Sequence, residues 1–339
     1  MAAGAQVLVV GAGPSGLLAA VELARHGIAA RLVEREPEPH GQARATAIQP
    51  ATLEILDQAG LAGRFLAASE HLGCTRLFDR ELRPLSETRF GGTGCRWEFQ
   101  CSLPQYATEQ LLAARLAELG GRVERGVSVT GLEQRDGGVR AGLRRADGST
   151  ETAEASWVIG AGGAHSVTRE SLDEDLAGAT YPGTALVGDV TVTCGLPRDG
   201  SALIATPEGY VLLAPLPGGR WITFVGDLDP AELAGLSQSG LSQSGPDQAA
   251  AARALTAALR RRAAGVTVGD VAWASEFRMH RRLAPHLAGQ RRFLLGDAGH
   301  LSSPFGGEGL NSGLHDAHNL AWKLALELSG RARPALLAS

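Results

Sequence analysis

The chain opens on an unbroken apolar run, Val7-Leu8-Val9-Val10, the pattern of a strand buried on both faces. Leu17, Val21 and Ala24 then recur on one face of a predicted helix that stops near Gly27. Ala30-Arg31-Leu32-Val33 predicts a second strand ending in Glu34, and a helical run follows around Ala51 to Leu61. Residues 72–103 turn strand-like, with Gly91-Gly92-Thr93-Gly94 as a turn. Pro104 to Leu119 places Leu111, Leu112, Leu116 and Leu119 at helical spacing. Val123 to Val129, Val139 to Arg144 and Ala155 to Ile159 read as strands separated by Asp136-Gly137-Gly138 and Asp147-Gly148 turns. From 184 to 228 the polarity alternates as in an antiparallel sheet, over Ala185 to Val192, Ala202 to Thr206, Tyr210 to Ala214 and Arg220 to Val225. A tandem Leu-Ser-Gln-Ser-Gly repeat at 236–245 reads as solvated loop, and a helix is expected from Asp247 to Ala263. Arg291 to Leu295 then returns the chain to its first layer.

Two glycine-rich segments interrupt this pattern where strands give way to helices. Gly11-Ala12-Gly13-Pro14-Ser15-Gly16 follows the first strand directly, and Glu34 closes the second strand eighteen residues past the last of those glycines. In that setting the first glycine allows a tight turn, the second admits a pyrophosphate to the backbone, and the third lets helix and strand pack. Glu34 is the expected partner of a ribose hydroxyl. The second segment, from Phe293 to Ala325, reads as strand, Gly296-Asp297, a loop rich in glycine, then a helix. Glycine there lets backbone N–H groups approach a ligand, and the helix aims its positive end into the loop. Asp297 can accept hydrogen bonds from a sugar-alcohol chain.

Composition narrows the class. The 339 residues allow a large core and two domains. Of 32 basic residues only Lys323 is lysine, the net charge is −4, and no polybasic run points to nucleic acid or an anionic membrane. No apolar stretch reaches membrane-spanning length, and the start leads straight into a strand, so no signal peptide and a cytoplasmic location are expected. Cys74, Cys95, Cys101 and Cys194 have no Cys-x-x-Cys spacing, and His315 and His318 lack companion ligands, so neither a disulfide framework nor a metal site is expected.

Three spaced motifs resemble one family. They are Gly11 to Gly16 with Glu34; Val158-Ile159-Gly160-Ala161-Gly162-Gly163-Ala164-His165-Ser166-Val167-Thr168-Arg169; and Gly296-Asp297 through Asn311, continuing into Asp316-Ala317-His318-Asn319-Leu320-Ala321-Trp322-Lys323. Nearly the whole chain resembles the single-component flavoprotein aromatic hydroxylases typified by para-hydroxybenzoate hydroxylase, and most of all those of actinobacteria that act on polycyclic polyketides. The resemblance implies an α/β fold: a Rossmann-like FAD-binding domain of glutathione-reductase type, interrupted by a mainly antiparallel β-sheet substrate domain. It divides the chain into residues 1–71, 104–178 and 276–339 for FAD and 72–103 and 179–275 for substrate.

The same resemblance assigns roles. Gly11, Gly13, Pro14, Ser15 and Gly16 would cradle the pyrophosphate, Glu34 would hold the adenosine ribose, and Arg35 and Val129 would lie in the cofactor site. Arg44 would stand near the pyrophosphate and the moving ring, and Gln105 near the phosphate and ribityl portion. Asp297 would bind the ribityl hydroxyl and Pro304 would sit by the reactive face of the flavin. Gly307, Gly309, Leu310 and Asn311 would present backbone to the pyrimidine edge, where reduced flavin carries negative charge. Tyr210, Trp221, Phe224 and Phe277 are candidates for a flat aromatic pocket, or for plain core.

The implied activity is NAD(P)H- and O2-dependent hydroxylation of an aromatic, polycyclic polyketide ring through a flavin C4a-hydroperoxide. NADPH or NADH would visit transiently, since no second Gly-x-Gly-x-x-Gly is present. The sequence leaves the oligomeric state open. Two departures stand out. Gly162 takes the place of a family aspartate, leaving Arg169 and His165 without one expected acidic partner, and Glu308 takes the place of a frequent glutamine. The family also continues with a Tyr-x-x-Glu-Arg helix and a C-terminal domain, and this sequence stops at Ser339, about where that helix would start. The alternatives are a Baeyer–Villiger or epoxidising oxygenase and a non-redox flavin- or polyketide-binding homologue. A halogenase is disfavoured, because no Trp-x-Trp pair occurs and Lys323 lies in the last helix.

Overall fold

The computed structural model describes residues 6–39, 41, 45–229, 232 and 246–338. The Val7–Val10 strand forms the centre of a six-stranded sheet. It pairs in parallel with Ala30–Glu34 on one side and Trp157–Gly160 on the other, and Arg292–Leu294 pairs in parallel beyond the latter. A central parallel strand is covered on both faces, and Val7 to Val10 are all buried as their apolar run requires. On one face the first helix, Pro14–Arg25, packs against the last long helix, Glu308–Leu328, burying Leu17, Val21, Leu314, Ala317, Leu320 and Leu324. The other face is covered by a three-stranded antiparallel sheet of Val127–Arg135, Gly138–Arg145 and Thr150–Ala155, through Leu8, Val33, Val139, Leu143 and Val158.

Eight strands form the second large sheet, antiparallel except where Gly200–Thr206 runs parallel to Cys74–Phe78. Its longest partners are Ala177–Thr193 and Thr267–Leu283, and the latter continues unbroken through residue 276. The Pro246–Arg262 helix lies on one face, over Leu186, Val211, Leu213 and Val225. Among the described residues no helix is long and apolar enough to cross a membrane.

Three local expectations change. Residues 123–129 are not one strand: Gly126, at φ 69°, breaks them into Val123–Arg125 of the parallel sheet and the start of the hairpin. The stretch from Ala155 to Ile159 likewise spans the end of that hairpin and the start of Trp157–Gly160. The helical run at 51–61 is two helices, Pro50–Gln58 and Ala62–Ala68, divided at Gly60. The Leu-Ser-Gln-Ser-Gly repeat lies outside the described residues.

Candidate flavin and substrate site

In the first turn, backbone meets backbone at two glycines and nothing at the third. Gly11 has φ 104°, and a Cβ there would stand 2.4 Å from the Ala161 carbonyl oxygen. A Cβ on Gly16 would stand 2.0 Å from the Gly11 carbonyl oxygen. A Cβ on Gly13 would meet no protein atom within 4 Å. Gly13 thus borders open space, beside a helix that starts with Pro14 and carries no side-chain cap on its N-terminus. Uncapped N–H groups with a positive helix end suit a pyrophosphate. Glu34 is fixed at the rim: its Oε2 accepts from Ala12 N at 2.7 Å and its Oε1 from Glu36 N at 2.9 Å. Each carboxylate oxygen keeps a lone pair for a ribose hydroxyl. Arg35 beside it is exposed and paired with Glu36 at 3.3 Å. Val129 lies opposite Leu143 in the hairpin and half-buried against the cluster of Val10 and Val33. Gln105 begins the Gln105–Glu118 helix and donates to Glu109 at 2.9 Å. Arg44 lies outside the described residues.

The third motif is held from two sides. Asp297 lies in a 3-10 turn, Gly296–Ala298, just past the Arg292–Leu294 strand. Gly296 N donates to Asp316 Oδ2 at 2.9 Å, and Arg169 Nη1 donates to the Ala298 carbonyl at 3.2 Å. Asp297 itself points to the exposed side of that turn. Arg169 also donates through Nη2 to the Ala164 carbonyl at 2.7 Å. Two carbonyls therefore serve Arg169 where the sequence suggested a missing acidic partner. His165 is exposed. Ser15 wedges this motif to the first one, since a Cβ on Gly313 would lie 2.3 Å from Ser15 Oγ.

Past Pro304 the loop tightens. Gly307, at φ 70°, lies so near Ala47 that a Cβ would be 2.6 Å from the Ala47 Cβ. The Glu308–Leu328 helix starts there without a side-chain cap. Gly309 faces open space and Leu310 packs on the first core. Asn311 is buried: Nδ2 donates to the Ala47 and Gly307 carbonyls at 3.0 and 2.6 Å, and Oδ1 accepts from Gln49 N at 2.9 Å. The uncapped first turn is suited to negative charge on a reduced flavin. Glu308 is exposed and folds back over Gly306, its Oε1 3.5 Å from where a Gly306 Cβ would be.

His300 bonds Asp316 Oδ2 through Nε2 at 2.7 Å, and that bond holds its imidazole above the usual pKa.

Across from Pro304 stands the second sheet. Tyr210, Phe224, Phe277 and Trp273 share one face of it, and Tyr106 of the Gln105–Glu118 helix packs on the same cluster as Phe224, Trp273 and Phe277. Phe305 meets Tyr210 edge-on at 4.8 Å, and Phe224 meets Phe277 edge-on at 6.0 Å. Burial, with Asp227 nearby, pushes the Tyr210 phenol up to about 12. Trp221 does not join them. Alternation along Trp221–Gly226 turns it to the helix-covered face, buried with Val190 and Leu213 and capped by the Arg198 guanidinium 5.1 Å from the ring. Sequence reasoning placed Asp316 in the third motif without its bonds to Gly296 and His300, and missed Phe305 and Met279. Of the two missed, Met279 left a signal, sharing the period of two with Trp273 and Phe277.

Known proteins match this arrangement. The FAD binding domain profile covers residues 4–339. The 6-methylpretetramide 4-monooxygenase of Streptomyces rimosus is 37% identical over 337 residues, 98% of this chain and 58% of that protein. A ternary complex of aklavinone-11 hydroxylase with FAD and aklavinone superposes with TM-score 0.79 at 28% identity, covering 98% of this chain and 64% of that one. The Diels-Alderase of pyrroindomycin biosynthesis does so with TM-score 0.77 at 29% identity, covering 98% and 68%. The chain spans about three-fifths of the length of the curated relatives it matches. Open space at Gly13, the backbone-held carboxylate of Glu34 and the uncapped helix at Gly307 all fit FAD, and the chain belongs to the FAD binding domain family.

Proposed function

We propose that this chain carries the flavin and substrate sites of an NAD(P)H- and O2-dependent monooxygenase that hydroxylates an aromatic, polycyclic polyketide-type ring. The observation that carries the reading is the edge-on contact of Phe305, next to Pro304 in the glycine-rich loop, with Tyr210, whose strand position puts it on the same sheet face as Phe224 and Phe277. FAD, when bound, supplies the electron acceptor for the nicotinamide and the means of activating O2. The residues do the rest. Gly11 to Gly16 and Glu34 anchor the nucleotide end, and Asp297 receives a ribityl hydroxyl. The first turn of the Glu308–Leu328 helix stabilises negative charge at the ring. The apolar face around Phe277 excludes water and lays a flat ring beside Pro304. Arg44, Gln105, Arg35 and Val129 complete the proposed cofactor shell. The proposed division into a flavin unit and a substrate unit draws on the two large sheets, although Thr267–Leu283 crosses residue 276 and His300–Leu301 joins the second sheet.

The test is direct. The purified protein should be yellow or load with FAD, and should oxidise NADPH or NADH faster when a naphthacene-type phenol is added. A protein that cannot be loaded with FAD sinks the reading. A second reading, a flavin-binding homologue without oxygenase activity, draws on Gly162 and on the similarity to a Diels-Alderase. A flavin that neither nicotinamide reduces would favour it.

A further inference from the structure

Met279 is one of two methionines in the sequence, the other being Met1. It is 9% exposed and stands where the flavin loop meets the second sheet. Two hydroxyls are aimed at its sulfur: Tyr210 from the sheet and Ser303 from the loop, each with its oxygen 3.8 Å from Sδ. Ser303 Oγ in turn accepts from Phe305 N at 3.3 Å, and the Phe305 ring rests on Tyr210. Met279, Ser303, Phe305 and Tyr210 thus close a ring of contacts that links loop to sheet.

A thioether is a weak acceptor, and the two O···S distances exceed an ordinary O–H···O hydrogen bond of about 2.7–2.8 Å. An oxygen bonded to sulfur projects by one bond, so a hydroxyl oxygen 3.8 Å from Sδ can reach it at about 2.7–2.8 Å through a bent S–O···O geometry. Oxidation of methionine elsewhere in a core inserts a polar oxygen with no partner and disrupts packing. At Met279 two hydroxyl donors already stand within reach of the sulfur.

We propose that Met279 is an oxidation site, converted by hydrogen peroxide to a sulfoxide that the Tyr210 and Ser303 hydroxyls receive. The sulfur lone pair attacks one peroxide oxygen and the O–O bond breaks. Sulfur loses two electrons, the distal oxygen gains them, and with the two peroxide protons it leaves as water. The sulfoxide oxygen then accepts from both hydroxyls, tightens the loop on the sheet and narrows the approach to the aromatic row. Sulfoxide reductases can reverse the change. That narrowing matters for substrate entry only on the reading given above; the modification and its reception by the two hydroxyls do not depend on it.

The experiment treats the folded protein with hydrogen peroxide and maps the Met279 peptide by mass. The expected result is a gain of one oxygen there, with the oxidised wild type keeping its melting temperature within a few degrees. In Ser303→Ala and in Tyr210→Phe, the same oxidation should lower the melting temperature by several degrees more, each variant being compared with its own unoxidised form. Met279→Leu should show neither the mass gain nor the shift. The proposal is overturned if Met279 stays unmodified in the folded protein under peroxide that oxidises it after denaturation. It is equally overturned if oxidation costs the wild type and the two variants the same stability. Failure of FAD to bind would refute the functional reading and leave both of these readouts intact.

Discussion

Asn311 donates to the carbonyl of Ala47 at 3.0 Å, joining two residues 264 positions apart in the sequence. With its bonds to Gly307 and Gln49, this one buried amide clasps the flavin loop to the Ala47–Ile48 strand. Asn311→Ala would leave a buried N–H and two carbonyls with one partner fewer. The expected loss is about 1–3 kcal/mol of stability, the usual cost of stranding buried polar groups. Urea denaturation of the apoprotein checks it, and flavin titration should show weaker binding, because the helix start is no longer held.

Gly13 and Gly16 make a matched pair. Gly13→Ala adds a methyl in open space, so the apoprotein should melt as wild type does while its FAD dissociation constant rises. Gly16→Ala drives a Cβ to 2.0 Å from the Gly11 carbonyl oxygen and should destabilise the fold itself. If both variants bound FAD normally, the cradle would be assigned to the wrong turn.

Asp297→Ala should reduce the flavin retained through purification with little change in apoprotein melting, since Asp297 sits exposed on its turn. Unchanged flavin content would remove it from the ribityl contact.

The His300–Asp316 pair predicts a pH dependence. The Asp316 hydrogen bond raises the folded pKa of His300 above its unfolded value of about 6.5. The pair's stabilisation is therefore complete below that unfolded value and is lost as pH rises through the folded one. His280 and His315 are shifted downward by burial, so the total stability profile mixes opposite slopes. Asp316 also accepts from Gly296 N and acts on His315, so it is the pH-dependent part of the difference between wild type and Asp316→Asn that reports chiefly on the pair. It should be largest in mildly acidic solution and shrink toward alkaline pH; a difference independent of pH would contradict the assignment.

Gly162→Asp probes the departure in the middle motif. Gly162 has φ −77° and ψ 13°, and a Cβ would meet Ser166 Cα at 3.5 Å, an ordinary contact. The variant should fold with a stability change within about 0.5 kcal/mol. Whether it tightens FAD binding or speeds nicotinamide oxidation is then read without a folding artefact.

Much of this was legible in residue order because it is local. An apolar run followed by glycine, proline and a helical stripe specifies strand, turn and helix within some twenty residues, and Glu34 closes the same unit. That unit, together with the motifs at 158–169 and 296–323, identified the family and the cofactor. What periodicity could not decide was which partner each face would meet. Tyr210, Trp221, Phe224 and Phe277 look alike as aromatic residues in alternating strands. Pairing and pleat then set Trp221 against a helix and the other three on the opposite face, where Tyr210 meets Phe305 of the glycine-rich loop. Arg169 likewise looked short of an acid until the fold brought the Ala298 carbonyl to it from 129 residues away. Asn311 with Ala47, Asp316 with Gly296, and Met279 between Tyr210 and Ser303 rest on the same cause. Hydrogen bonds and close packing act over a few ångströms, so such pairs exist only after long loops have closed, and short-range spacing carries no record of them.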